Sequence, residues 1–403
     1  MKRLQGSLLA LALAATMGVA QAQISDGVIK IGVLSDMSSL YTDLAGAGSV
    51  VAAKMAVEDS GIEKRGYKVE VLSADHQNKA DVGSNIARQW YDVDKVDVIV
   101  DVPNSGVALA VNQITRDKGK AFLAVGPGSS DLTGKACSPN TVHWAYDTWM
   151  LANGTGTAIT KQGGDTWFFI AADYAFGAAL ERDTTAAVLR NGGKVIGGVK
   201  VPLNTQDFSS FLLQAQASKA KIIGLANAGG DTTNSIKQAA EFGIVKGGQK
   251  LAGLLVFLTD IHALGLQTAQ GLTFTETFYW DMNDQTRAFA KRFSAADKGI
   301  YPTMVHAGVY ASVLHYLKAV EALKSDDGTK VIAKMKELAT DDPLFGNGSI
   351  RVDGRKIHPA YLVQVKTPAE SKAPWDYYKI VATIPADQAF SPLTDGDCPL
   401  VKK

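Results

Sequence analysis

Between Ala121 and Gly134 the chain reads AFLAVGPGSSDLTG, an apolar run that breaks into a turn rich in glycine and serine. A strand that ends in such a turn gathers main-chain N–H groups around an anion. A nucleotide phosphate fits poorly. A Walker loop needs a lysine inside the glycine-rich segment, and none comes before Lys135. A dinucleotide fingerprint needs a third glycine, yet Gly126 and Gly128 are followed by Asp131, whose carboxylate repels a pyrophosphate. The nucleophile elbow G-x-S-x-G also fails, because Pro103 stands two residues before Ser105. No motif supports catalysis, so the chain reads as a non-enzyme. The N–H groups and hydroxyls at Gly128, Ser129 and Ser130 suit a carboxylate, which neutral donors hold without burying a cation. The competing reading is an ordinary loop whose serines cap Asp131 and Leu132.

Other strand ends carry related residues. SDMSSLYTDLAG places Tyr41 after the first strand, and DVPNSGVALA places Asn104 and Ser105 at a helix start. AADYAFG sets Tyr174 and Phe176 between a strand and a helix, and LANAGGD does the same with Asn227, Gly229 and Asp231. Taken together they offer polar donors from one half of the chain and aromatic surface from the other, facing a common cleft.

The elements that must position these residues are legible as alternation. VIKIGVLSD, YKVEVLSAD, VDVIVDVP and AFLAV are β-branched runs separated by helical patterns such as AGAGSVVAAKMAVEDSG, which Gly61 ends. The alternation starts afresh with TWFFIAAD, KVIGGVKVP, KIIGLANAG and KLAGLLVF. Strands spaced by helices of about ten to fifteen residues predict βαβ units and parallel sheets. The expected fold is α/β: two Rossmann-like, doubly wound lobes joined by a hinge. The expected division is a signal peptide at 1–22, one lobe from 23–145 plus 281–355, and a second from 146–280 plus 356–403. PTMVHAGVYASVLHYLKAVEALK, with Pro302 at its start, predicts a long buried helix.

Composition narrows the partners. The 403 residues suffice for two cores, and 41 Lys plus Arg against 40 Asp plus Glu leave no field that favours nucleic acid. The start, MKRLQGSLLALALAATMGVAQAQ, has the basic end, short apolar segment and Ala20-Gln21-Ala22 cleavage site of a secretory signal, implying an exported, periplasmic chain. Export makes a disulfide between Cys137 and Cys398, the two cysteines, the favoured state over free thiols. The six histidines lack the paired spacing of metal ligands, so neither a metal nor a cofactor is implied.

With these residues in view, the chain resembles the type I periplasmic solute-binding proteins of the Leu/Ile/Val-binding class, receptor subunits of ABC importers. IKIGVLSDMSSLYTDLAGAGSVVAAKMAVED, PNSGVALAV, VGPGSSDLTG and DYAFG carry the resemblance in order. It implies that Ser105, Gly128, Ser129 and Ser130 hold a ligand carboxylate, that Phe176 stacks on the ligand, and that Asn227 to Gly230 line the far wall. Tyr41 and Tyr174 add aromatic contacts. Amino-acid binders of this class pair an acidic residue with the ligand ammonium; here the candidate is Asp260, which reads equally well as a helix N-cap. The resemblance implies a monomer that closes on an apolar amino acid or aromatic carboxylate and delivers it to an inner-membrane permease. A soluble sensor domain that feeds a membrane receptor is the alternative.

Overall fold

The computed structural model describes residues 24–402, so the segment read as a signal peptide lies outside the described residues. The first sheet contains β1 (Ile29–Ser35), β2 (Val69–Asp75), β3 (Val98–Asp101), β4 (Ala121–Ala124) and β5 (Thr141–His143). All five run parallel, in the order β2-β1-β3-β4-β5. Helices cover both faces, which explains why β3 and β4 are apolar almost throughout and wholly buried. The second sheet contains β6 (Thr166–Ala172), β7 (Lys194–Val201), β8 (Ile222–Ala226) and β9 (Lys250–Gly253). It is also parallel, ordered β7-β6-β8-β9. These two sheets form the two lobes.

The strand order reverses direction once in each sheet, between β1 and β3 and between β6 and β8. Loops leaving the C-terminal ends of strands on either side of such a point diverge and open a crevice. That geometry selects the loops after β1, β3, β6 and β8, which carry Tyr41, Asn104 and Ser105, Tyr174 and Phe176, and Asn227 and Gly229.

The remaining elements knit the lobes together. β10 (Thr273–Glu276) precedes a short antiparallel set, β11 (Thr340–Asp342), β12 (Gly346–Ile350) and β13 (Lys356–Ile357). It pairs instead with β14 (Ala360–Val365), which pairs with β15 (Tyr378–Ile384). The long helix Met304–Leu323 lies against the helix Gly46–Ser60 of the first lobe. Its start is fixed by Thr303, whose Oγ1 donates to Leu44 O at 2.8 Å, and His306 Nε2 meets Ala45 O at 2.8 Å. Arg355 is fully buried and ties its own segment to residues 144–147. It donates to Tyr146 O and Lys356 O at 3.0 Å each and also to Trp144 O, with Asp147 Oδ2 at 3.4 Å.

Cys137 and Cys398 form the expected disulfide, across a sequence separation of 261 residues. The chain beyond β15 thus returns to the first lobe, where Gly396 lies against Gly134. Three short strands, β5, β10 and β11, were not expected from the sequence. Three or four residues show too little periodicity; pairing with β4, β14 and β12 makes them strands.

Candidate functional site

Each loop at the two reversal points is shaped by local chemistry. After β1, the Asp36 carboxylate accepts from Ser39 N at 3.0 Å and Tyr41 N at 2.8 Å, which turns the chain and presents the Tyr41 ring. At the end of β3, Asp101 and Val102 both hold positive φ, +82° and +61°. That conformation is costly for a β-branched residue, and strain of this kind gathers at functional sites. The Asp101 carboxylate accepts from Ser35 Oγ at 2.8 Å, and burial pushes its pKa up to about 6. The kink sends Pro103 toward the cleft and starts the helix Ser105–Asp117, whose N-cap is Asn104.

The loops converge on one cavity between the lobes. Tyr41 and Leu44 from the first lobe face Tyr174, Phe176 and Phe257 from the second, with Gly128 at the contact. The hydroxyls of Tyr41 and Tyr174 are hydrogen-bonded at 2.6 Å, and the Tyr174 and Phe176 ring centroids lie 6.0 Å apart. Burial raises the pKa of both phenols, and that of Tyr146 beside them, so all three are neutral donors at physiological pH. No charged side chain is among the described residues lining the cavity. In this conformation its volume is only about 10 Å³, roughly the space of one water. A larger hollow of about 580 Å³, beside Tyr67 and Lys324, lies at the N-terminal ends of β1 and β2, away from the reversal points.

Gly128 shows why this position has no side chain. A Cβ there would sit 2.7 Å from Phe176 Cε2 and 2.9 Å from Tyr146 Cε2. Gly229 is different: its φ of +57° and a Cβ position 2.6 Å from Leu40 O bring the second-lobe backbone onto the loop that carries Tyr41.

The other expected site residues take several roles. Ser105 Oγ accepts from Ser129 N at 3.1 Å, so two first-lobe loops meet through one hydroxyl. Ser129 Oγ accepts from Asp131 N at 3.4 Å. Asn104 Oδ1 is engaged by Gly106 N at 2.9 Å and Val107 N at 3.1 Å, capping its own helix. Asn227 is buried within the second lobe, bonded to Thr232 Oγ1 and Ser235 Oγ. The Ser130 hydroxyl turns away from the cavity and donates to Asp183 Oδ2 at 2.7 Å.

Asp260 needs a correction of position. The helix is Leu258–Leu264 with Phe257 at its N-cap, so Asp260 is the third helical residue and not the cap itself. Its Oδ2 reaches back to accept Phe257 N at 2.9 Å. Burial, with Asp43 nearby, pushes its pKa up to about 7. Glu276 is also buried and also raised, by burial first and by Asp260 second.

Tyr146, Leu255 and Phe257 line the cavity and were missed in the sequence. Leu255 and Phe257 follow β9, so the strand-end rule alone would have found them. Tyr146 follows the three-residue β5 and carried no such signal.

Residues 28–372 match the family model described as "Periplasmic binding protein". A periplasmic binding protein from Burkholderia mallei is 52% identical, covering 94% of this chain and 100% of its own, with a TM-score of 0.91. The periplasmic ligand-binding protein of a branched-chain amino acid ABC transporter from Burkholderia xenovorans LB400 is 42% identical, covering 92% and 99%, with a TM-score of 0.81. A solute-binding protein of an ABC transporter from R. palustris, solved with benzoate, shares the fold at 20% identity, covering 93% and 100%, with a TM-score of 0.81. Among the described residues no helix is long and apolar enough to cross a membrane. With two parallel lobes whose reversal points share one cleft, the chain belongs to the periplasmic binding protein family, as a type I member of the Leu/Ile/Val-binding class.

Proposed function

We propose that this protein is the extracytoplasmic receptor of an ABC importer, capturing a small carboxylate with an apolar, preferably aromatic, body. One observation carries the reading: the cleft cavity is walled by Tyr41, Tyr146, Tyr174, Phe176 and Phe257, and none of the described residues that line it is charged. Rings of this kind suit a flat apolar body. The carboxylate would be met by neutral donors: the N–H groups of Gly128 to Ser130, the Ser105 hydroxyl, and the phenols of Tyr41 and Tyr174.

Ser129 N and Ser130 N are held by the hydroxyls of Ser105 and Thr148 at 3.1 Å each. A hydroxyl rotates at little cost, so a carboxylate could take over these donors without unfolding the turn. Asp260 is absorbed by its own helix start, which disfavours an ammonium partner there.

The proposed mechanism is closure of two lobes, 23–145 plus 281–355 and 146–280 plus 356–403, with the disulfide carrying the last residues back to the first. Ligand enters the open form, docks on the first lobe, and stabilises closure by contacts with both. The closed surface is then presented to an inner-membrane permease.

A thermal-shift screen of the mature protein against benzoates, branched-chain amino acids, dicarboxylates and amides tests the reading, since a ligand that binds only the native state raises the Tm. A shift with aromatic acids is expected. A shift with leucine-like amino acids and none with aromatic acids would overturn the aromatic preference and return Asp260 or Glu276 to the ammonium role.

A further inference from the structure

At the rim of the cleft, outside the cavity, a second set of contacts joins the lobes. The Ser130 hydroxyl donates to Asp183 Oδ2 at 2.7 Å and accepts from Arg182 Nη2 at 2.7 Å. Arg182 Nη1 donates to Asp131 Oδ1 at 3.1 Å, and its Nε to Asp183 Oδ1 at 2.9 Å. Thr148 Oγ1 donates to Asp183 Oδ2 at 2.6 Å while accepting from Ser130 N. Ser130 and Asp131 belong to the turn after β4. Arg182 and Asp183 sit on the helix Ala175–Arg190 of the second lobe, with Thr148–Leu151 packed beside it. None of these residues lines the cavity.

We propose that Arg182 and Asp183 form a clasp on the Ser130–Asp131 turn, a positioning pair that sets how much of the protein is closed before ligand arrives. The physical case has three parts. The bonds from Ser130 to Asp183 and from Arg182 to Ser130 and Asp131 cross between lobes, so they exist only when the lobes are together. They are charge-assisted, and the Asp183 side chain is only 9% exposed, so water screens it weakly. Finally, the closed cavity of about 10 Å³ cannot admit a ligand body, so ligand must enter after the clasp parts. Arg182 and Asp183 hold the closed form and slow entry by acting on the population of states.

The inference rests on the closure mechanism proposed above, but its test needs no ligand, so failure of the ligand screen leaves it readable. Small-angle scattering of the mature protein without added ligand compares wild type with Arg182→Ala and Asp183→Ala. Lys200→Ala is the control, because Lys200 pairs with Glu181 on the same helix entirely within the second lobe. The expected result is a larger radius of gyration for the two clasp variants, with the control superimposing on wild type. Arg182 is half exposed, so its variant remains informative if Asp183→Ala does not fold. Clasp variants that scatter like wild type, or a control that expands equally, would overturn the proposal.

Discussion

The turn Gly126–Asp131 and the segment Leu254–Asp260 occupy equivalent places, each following the C-terminal end of a parallel strand at the cleft. Their polar groups differ in whom they serve. The turn offers N–H donors whose present partners are hydroxyls at two helix starts, Ser105 and Thr148. Those partners can rotate away. The Leu254–Asp260 segment offers a carboxylate that already serves its own helix by accepting Phe257 N. That partner is three residues away in the chain and cannot leave without unwinding the helix start. A polar group beside a cleft is therefore available to a ligand only where its internal partner is replaceable, and Leu255 and Phe257 contribute apolar surface in place of charge.

The largest effect on this contrast is expected at Gly128. Gly128→Val puts methyl groups where Phe176 and Tyr146 already stand. Overpacking of this kind should weaken binding of the best ligand from the screen by about 100-fold. Calorimetry would show it, with a circular-dichroism melt confirming that the fold survives.

Asp260→Asn probes the opposite case. The folded pKa of about 7 stands above the ordinary aspartate value of 3.8, so the charged form is a cost, fully present above pH 7 and gone below pH 3.8. Asparagine keeps an acceptor for Phe257 N but brings an amide N–H that needs a partner, which offsets part of the gain. The variant should be more stable at pH 8 by about 2 kcal/mol, and its advantage should shrink as pH falls from 7 toward 4. Denaturant midpoints across that range measure it. Binding of an aromatic acid should be unchanged; loss of binding would mean that Asp260 faces the ligand after all.

Ser105→Ala removes the hydroxyl that joins the two first-lobe loops. Affinity should fall by about tenfold, with a smaller effect on stability. An unchanged Kd would take Ser105 out of the site. The smallest effect is expected at Asn104, where alanine removes only the helix cap. Stability should drop by about 1 kcal/mol, with affinity changing less than about threefold. A larger loss of affinity than at Ser105 would reverse the roles of these two neighbours.

The succession of elements follows from the chain's residues alone. Continuous β-branched runs separated by amphipathic stretches leave little choice but parallel strands and covering helices, and glycines such as Gly61 end helices by local geometry. The strand-end rule then marked Tyr41, Gly128, Tyr174 and Phe176, because parallel sheets expose only their strand ends to a crevice. Which of the strand-end residues were free was settled by packing in three dimensions. Asn104 and Asp260 could have faced a ligand, yet each bonds its own helix start. Ser130 could have faced the cavity, yet it turns to Asp183, a residue 53 positions away. Tyr146 enters the wall only because the short β5 pairs with β4. The physical reason is the same each time: a hydrogen-bonding side chain takes the nearest partner in space, and spacing along the chain does not specify who that is.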